Sequence, residues 1–385
     1  MYLRNGKVGV FDLSSGTLEE HELSDQDNLN SLKVAERISV DYGYDPLVLG
    51  TGVLTASFVP AACAGFVMAK RVFMPILGFA GMELKLSGFD FLVVNGRSEK
   101  RGYLWIRDGM VEFVESEDIA SLDSWKRTDK IRADQGDGKI QVLSVGPWGD
   151  SSRHASQIVI DYWGGEDKVG MGAEFGKRNL GAIAFRGMGE LEINELERHF
   201  EDALLLMSDH IQRLGANKGL ASYSDVASRD DFSKLFHRTV ACYGCPYPCR
   251  SFLKVFEAPN EFRLLAKEPG YLHYDVPALA KAFASGLDSK DATIAMIKCA
   301  RAGAEPVSVL SSASPAGLEA VDAILSKQTD IMNMRAANFE SSFTNLDDYR
   351  SAVGLGICPR YWSKVGFDFE AVASYAQSAL DLKPA

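Results

Sequence analysis

The hydrophobic pattern changes near the middle of the chain. Up to residue 187, short apolar or alternating runs predict β-strands at 8–13, 46–54, 89–96, 139–146 and 180–187. The segment 103–115 contains two such runs separated by Asp108-Gly109, a pair that tolerates the positive φ angles of a tight turn. We therefore expect a hairpin there, within a β-rich N-terminal half.

Helical spacing replaces this pattern after Gly187. Apolar residues recur at helical intervals over 193–216, a segment that ends near Gly215. Further helical segments are predicted at 229–237, 276–286, 289–302, 316–327 and 368–381. The change predicts an α+β protein with a β-rich N-terminal domain, 1–190, followed by an α-helical region, 191–385, that carries a group of cysteines.

Composition limits the classes of protein that this chain can represent. Its 385 residues, 46% hydrophobic and 24% charged, are typical of a globular protein with two or three domains. The net charge of −11 argues against a nucleic-acid partner, which would need a basic face. No run of 18 apolar residues and no signal-peptide pattern is seen, which predicts a cytoplasmic protein without a membrane span.

Three of the six cysteines lie in one short segment, "CYGCPYPC". Cys242, Cys245 and Cys249 have the spacing C-x2-C-x3-C. Iron–sulfur clusters and structural zinc ions both take four ligands, most often thiolates. The segment therefore predicts a metal centre with three ligands from one loop and a fourth from elsewhere.

The fourth ligand has three candidates. Cys63 lies in the small-residue run "PAACAG", and Cys299 lies in a predicted helix, where a buried, unliganded thiol is expected. Cys358 follows a glycine-containing turn and precedes Pro359, and we select it as the fourth ligand. A zinc site and a redox thiol pair remain alternatives. Zinc sites, however, usually have two pairs of closely spaced cysteines, and this chain has one such pair.

Several motifs resemble those of the aldehyde:ferredoxin oxidoreductase family, whose members contain tungsten or molybdenum bound by bis-pyranopterin. The similar segments are "GTGVLTASFVPA", "GMELKLSGFDFLVVNGRSEK", "LSVGPWGD", "GAEFGKRNLGAIAFRG", "CYGCPYPC" and "GLGICPRYW". The resemblance implies that Cys242, Cys245, Cys249 and Cys358 hold one 4Fe–4S cluster. It also implies the family's N-terminal fold and a place in anaerobic metabolism.

The chain departs from the family where the pterin is bound. It is shorter than most members, and charged or amide residues of the family are replaced at Ala64, Pro75, Ala300 and Val353, while Glu305 replaces an aspartate. A pterin phosphate and its polar ring system need fixed charges and hydrogen-bonding groups. The departures therefore predict a degenerate pterin site beside an intact set of thiols.

The favoured functional hypothesis is a 4Fe–4S electron-transfer subunit of an oxidoreductase. Its expected partner is a ferredoxin-like or other redox subunit, within a homo- or hetero-oligomer. One alternative is a compact enzyme that binds tungsten or molybdenum bis-pyranopterin and acts on an aldehyde or carboxylate. A weaker alternative is a structural subunit in which a cluster or zinc ion only holds the two halves of the chain together. Glu257 and Glu261 resemble carboxylates of the family's substrate site, but we expect surface roles for them.

Overall fold

The computed structural model describes residues 2–24, 28–43, 45–162, 164–215, 229–253, 276–313, 317–327, 330–334 and 345–380. Within these ranges the chain forms two large β-sheets, a two-stranded sheet and helices, so the predicted α+β class is confirmed. Among these helices, none is both long and apolar enough to cross a membrane. The assignment of the cysteine-bearing region to a separate helical domain stays a prediction.

A six-stranded sheet contains the first six strands, in the order β2-β1-β6-β3-β4-β5. Its β1 and β6 run parallel, and the other neighbouring pairs are antiparallel. The strands are β1 (Lys7–Asp12), β2 (Thr17–Glu22), β3 (Leu47–Thr51), β4 (Gly65–Ala69), β5 (Val72–Ile76) and β6 (Phe91–Asn95).

A five-stranded sheet has the order β10-β9-β11-β7-β8. Its strands are β7 (Gly102–Arg107), β8 (Met110–Glu115), β9 (Gln141–Val145), β10 (Ile158–Ile160) and β11 (Leu180–Arg186). The predicted hairpin is confirmed, because β7 and β8 pair through a turn in which Asp108 and Gly109 have φ angles of 47° and 82°.

The two large sheets share a hydrophobic core. Leu49 and Leu92 of the six-stranded sheet pack in the same core as Leu104 and Leu143 of the five-stranded sheet. Val48 and Val93 point to the opposite face, where they pack with the helix Ser31–Asp41. Because β3, β4 and β6 are buried on both faces, they carry continuous apolar runs instead of an alternating pattern, whereas the edge strand β2 is charged and mostly exposed.

Helices occur in both halves of the chain. Those before residue 190 are Ser31–Asp41, Ala80–Leu86, Ser124–Gln135, Pro147–Asp150 and Met171–Lys177, together with a 3-10 turn at Glu117–Ser121. Those after it are Leu196–Leu214, Asp230–Leu235, Val276–Ala284, Ser289–Ala302, Pro306–Ser312, Leu318–Ser326, Leu346–Leu355, Pro359–Val365 and Phe369–Ala379.

One predicted helix is wrong in part. The segment predicted as helical at 229–237 is a helix only to Leu235, and strand β12 (Phe236–Val240) follows directly. β12 pairs antiparallel with β13 (Arg250–Leu253). The cysteine loop is therefore the connection of a two-stranded sheet, which positions its two ends side by side.

Candidate functional site

The β12–β13 pair closes the three-cysteine loop. Val240 pairs with Arg250, so the connecting loop begins and ends at neighbouring positions. Cys242 and Cys249, near the two ends of this loop, are buried, and Cys245 at its middle is partly buried. Strand pairing thus brings the outer two thiols of the motif toward each other.

Cys358 reaches the site through a turn between two helices. The helix Leu346–Leu355 ends at Gly356, whose φ angle of 94° favours glycine. Cys358 is the N-cap residue of the helix Pro359–Val365, and its side chain is buried. The glycine-containing turn and Pro359 therefore define the backbone on either side of this cysteine.

The loop 52–64 joins these two segments by backbone hydrogen bonds. The carbonyl of Ala61 accepts from the Cys358 amide at 2.9 Å, and the Ala61 amide donates to the carbonyl of Gly244 at 2.9 Å. A Cβ on Gly52 would lie only 2.0 Å from the amide nitrogen of Gly356, so the two backbones are in direct contact. The N-terminal half thus supplies one wall of the cysteine site.

All four predicted ligands lie in one region of the structure. Cys242, Cys249 and Cys358 belong to the same buried core, and Cys245 packs against it. Burial raises the pKa of Cys245, and negative charge on Cys242 and Cys358 raises it further, which places these sulfurs within electrostatic range. Among the residues described, no three Cys, His, Asp or Glu side chains are arranged to hold a single metal ion.

A fifth thiol, Cys63, lies in the same core. It is fully buried, and interaction with Cys242 and Cys358, together with burial, raises its pKa. Cys63 was a candidate ligand in the sequence, but no local signal indicated this interaction, because the partners are distant along the chain. Cys299 lies instead in a separate hydrophobic core, as expected for a buried thiol in a helix.

Arg250 is a functional candidate that the sequence analysis missed. Its guanidinium is buried, and Nη2 donates to Sγ of Cys242 at 2.7 Å. The hydrogen bond from Cys63, together with the positive charge of Arg250, lowers the pKa of Cys242 to about 6 despite burial. Its position directly after Cys249, at the start of the second strand of the pair, could have indicated this role.

A second arginine lies close to the site. Arg360 forms a two-pronged ion pair with the buried carboxylate of Glu166, at 3.0 and 3.1 Å. Burial raises the pKa of Cys249, whereas the charges of Arg360 and Arg250 oppose that rise. Arg250 therefore favours the thiolate of Cys242, the form that binds soft metals, whereas the pKa values of Cys245 and Cys249 stay raised.

The positions that depart from the family's pterin motifs have structural roles here. Ala64 and Val353 are fully buried in apolar cores. Pro75 lies in β5, the edge strand of its sheet, where a missing amide donor is tolerated. The carboxylate of Glu305 accepts from the amides of Val307 and Ser308 and so caps the next helix. Glu257 and Glu261 lie outside the described residues.

The N-terminal half of the chain is similar to known proteins. Residues 11–187 match the family model of the aldehyde ferredoxin oxidoreductase N-terminal domain. The tungsten-containing aldehyde ferredoxin oxidoreductase of Pyrococcus furiosus is 27% identical over 187 residues, 46% of this chain and 30% of that protein. The enzyme of the same name from Pyrococcus abyssi is 26% identical over 245 residues, 61% of this chain and 38% of that protein.

The fold also resembles a solved structure. A chain of the active-site complex BamBC of benzoyl-coenzyme A reductase with 1,5-dienoyl-CoA aligns with a TM-score of 0.69 and 17% identity. The alignment covers 97% of this chain and 65% of that chain. The matched segments of the two Pyrococcus enzymes amount to well under half of those proteins' lengths. Residues 11–187 therefore resemble the N-terminal domain of the aldehyde ferredoxin oxidoreductases.

Proposed function

We propose that this chain is a 4Fe–4S electron-transfer subunit or module of an oxidoreductase, with Cys242, Cys245, Cys249 and Cys358 as the cluster ligands. One observation carries the proposal: three thiols of one loop and a fourth from a distant segment lie in or against one buried core. Nothing in ordinary packing requires four cysteines from two segments to gather there. Such clusters are held by four cysteine thiolates, often with one ligand distant in sequence.

The surroundings of the thiols fit a cluster. Arg250 donates to the sulfur of Cys242, and Arg360 lies near enough to influence Cys249. These cations offset part of the negative charge that four thiolates bring into a buried site. The apolar core around the thiols restricts water, which also influences the potential of a cluster. When bound, the cluster would supply one-electron transfer.

The residues aligned with the family's pterin-binding motifs favour an electron-transfer protein over a complete pterin enzyme. Ala64 and Val353 are buried among apolar side chains, and the carboxylate of Glu305 is engaged in capping a helix. None of the three offers an ionic or hydrogen-bonding side chain directed at a pterin. We infer that the cluster site is retained without a competent pterin site.

A partner follows from this proposal. A cluster without a substrate site needs an electron donor and an acceptor, so we propose a ferredoxin-like protein or another redox subunit within an oligomer. The solved structure with the similar fold is an active-site complex, BamBC, which supports an oligomeric arrangement for this chain.

Elemental analysis of the anaerobically purified chain tests the proposal. We expect about four iron atoms per chain, without tungsten or molybdenum, and an EPR signal of a reduced 4Fe–4S cluster. Stoichiometric tungsten or molybdenum with pterin would contradict the proposal and support the compact enzyme. Zinc without iron would contradict it in favour of a structural subunit.

A further inference from the structure

The helix Leu196–Leu214 has an apolar face that the described residues leave exposed. One side of the helix packs on the rest of the chain through its buried residues, His199, Ala203, His210 and Leu214. On that side, Nδ1 of His210 lies 2.5 Å from the hydroxyl oxygen of Tyr361. The neighbouring side is 42–52% exposed at four large apolar residues, Leu196, Phe200, Leu204 and Ile211.

The exposed face has the spacing of a helix–helix seam. Phe200, Leu204, Met207 and Ile211 follow one another at intervals of four, three and four residues, and Met207 is partly exposed. Such intervals place side chains in one stripe along a helix and are those by which two helices interlock. Phe58, 36% exposed, extends the stripe by packing edge to face on Phe200, with ring centroids 5.2 Å apart. Contiguous exposed apolar surface of this kind marks an interaction site.

The stripe has the symmetry needed to pair with a second copy of itself. The intervals four, three and four read the same in both directions along the helix. Reversal about a point between Leu204 and Met207 therefore superposes the stripe on itself. In an antiparallel pair, Phe200 then lies opposite Ile211 of the second copy, and Leu204 lies opposite Met207 of the second copy. A twofold dimer requires a surface that matches itself in this way.

The charges beside the stripe favour the same orientation. By helical spacing, Glu197 and Glu201 lie along its solvent-facing edge near the start of the helix, and Ser208 and Gln212 lie along that edge near the end. In an antiparallel pair, Glu201 lies next to Ser208 of the second copy, so the acidic side chains of the two copies are kept apart. A parallel pair would place like charges side by side, which is unfavourable.

We propose that this chain forms a twofold dimer through the helix Leu196–Leu214, with the two helices antiparallel. The stripe Phe200, Leu204, Met207 and Ile211 lies at the centre of the interface, and its occupant is a second copy of the chain. The inference goes beyond the proposed function. It does not depend on a bound cluster, because the stripe contains none of the proposed ligands.

The mass of the full-length chain in solution tests the proposal. Light scattering after size-exclusion chromatography should give twice the chain mass of 42.1 kDa for the wild type. Leu204→Glu places a charge at the centre of the stripe and should reduce the mass to that of one chain. Leu205→Glu is the matched control and should remain a dimer. Leu205 is 70% exposed, but it lies about 100° further round the helix, away from the stripe.

Chemical cross-linking tests the orientation without a charged substitution. A short bifunctional maleimide should join Phe200→Cys to Ile211→Cys in a mixture of the two variants, and should join neither variant to itself. Wild type, treated in the same way, controls for the native cysteines.

Three outcomes would overturn the inference. A monomeric wild type would mean that another part of the chain, or a different partner, covers the stripe. A dimer of Leu204→Glu as stable as that of Leu205→Glu, with circular dichroism showing both folded, would place the interface elsewhere. Self-joining of Phe200→Cys in preference to its joining with Ile211→Cys would contradict the antiparallel arrangement.

Discussion

Arg250 connects strand pairing with thiol chemistry through a single side chain. Its backbone belongs to β13, opposite Val240 of β12, while its guanidinium lies against Cys242 and beside the backbone of Gly78. A buried guanidinium is costly unless its charge is matched, and the negative charges on Cys242 and Glu166 raise the pKa of Arg250 despite burial. The positive charge of Arg250 would also stabilise the reduced state of any cluster held by Cys242.

Arg250→Gln should lower the midpoint potential of the cluster. The substitution removes a positive charge at 2.7 Å from the sulfur of Cys242, a ligand on the proposed assignment, and positive charge stabilises the reduced state more than the oxidised state. Redox titration monitored by EPR measures the effect. Arg238→Gln is the control, since Arg238 lies in β12 with an exposed side chain that stacks on Phe252. Equal potentials in the two variants would contradict a role for Arg250 at the cluster.

Cys358→Ala should abolish or convert the 4Fe–4S cluster. On the proposed assignment, removing the distal thiolate leaves three ligands, which hold a complete cubane poorly. Iron analysis and EPR measure the change, with Cys299→Ala as the control that retains the wild-type signal. If Cys358→Ala kept an unaltered 4Fe–4S signal, the distal ligand would have to be another residue.

At the scale of elements, the cysteine site depends on a close approach of two backbones. Gly52, just after β3, lies against Gly356, at the end of the helix Leu346–Leu355, and a hydrogen bond from the Leu54 amide to the Leu355 carbonyl runs beside them at 2.9 Å. Only residues without a Cβ allow this distance. The spacing between the N-terminal sheet and Cys358 is thus set by two glycines.

Gly52→Ala should destabilise the fold by about 2 kcal/mol or more and lower the iron content, because the new Cβ would lie 2.0 Å from the amide of Gly356. Urea unfolding and iron analysis measure the two effects. Gly138→Ala is the matched control, since a Cβ added there would meet nothing within 4 Å. Similar stability and iron content in both variants would show that the approach is not required.

The helix Met171–Lys177 provides an ionic interaction with a defined pH dependence. Burial acts to raise the pKa of Glu174, but hydrogen bonds and charges from Lys177, Arg178 and Lys70 outweigh it and lower the pKa from 4.5 to about 2. A carboxylate with a lowered pKa stabilises the fold fully above its unfolded pKa. That stabilisation is then lost as the pH falls from about 4.5 toward 2.

Glu174→Gln should therefore cost about 2 kcal/mol of stability at pH 7 and clearly less at pH 3. Urea unfolding at both pH values measures the difference between wild type and variant. Glu112→Gln, on the exposed β8, is the control and should change stability little at either pH. A cost at pH 3 as large as that at pH 7 would contradict the ionic explanation.

Local patterns predicted some elements well and others poorly, for physical reasons. Asp108-Gly109 specifies its turn through backbone preference alone, so the β7–β8 hairpin was predictable. The β4–β5 pair was missed because both strands are buried without alternation and Pro75 lies inside one of them. The three-cysteine loop that begins at Cys242 was predictable from the C-x2-C-x3-C spacing. The placement of Cys63 in the same core as Cys242 was not predictable, because it arises only when distant segments pack together.

At the scale of the whole molecule, the cysteine core joins both halves of the chain. It contains Val53 and Leu54 from the N-terminal half together with Tyr361 and Trp362 from the C-terminal half. The indole nitrogen of Trp362 donates to the carbonyl of Pro60 at 3.1 Å, directly across this junction. A cluster bound by the four cysteines would therefore stabilise the packing of the two halves, because binding to the folded state alone increases its stability.

Removal of iron with a chelator should lower the Tm of the wild-type chain by several degrees, about the size expected for a change of a few kcal/mol. Differential scanning calorimetry under anaerobic conditions measures the shift. Cys358→Ala, treated in the same way, is the control, because its distal ligand is already absent. An unchanged Tm in wild type would contradict a stabilising role for the cluster.

The separation of the cysteines along the chain has a consequence for biosynthesis. A ribosome releases the loop 52–64 first, then the hairpin with Cys242, Cys245 and Cys249, and Cys358 about a hundred residues later. On the proposed assignment, the site lacks its fourth ligand until Cys358 has been synthesised. Delivery of a complete cluster therefore waits until the last ligand has emerged, which makes iron loading a late event, after the two N-terminal sheets have been synthesised.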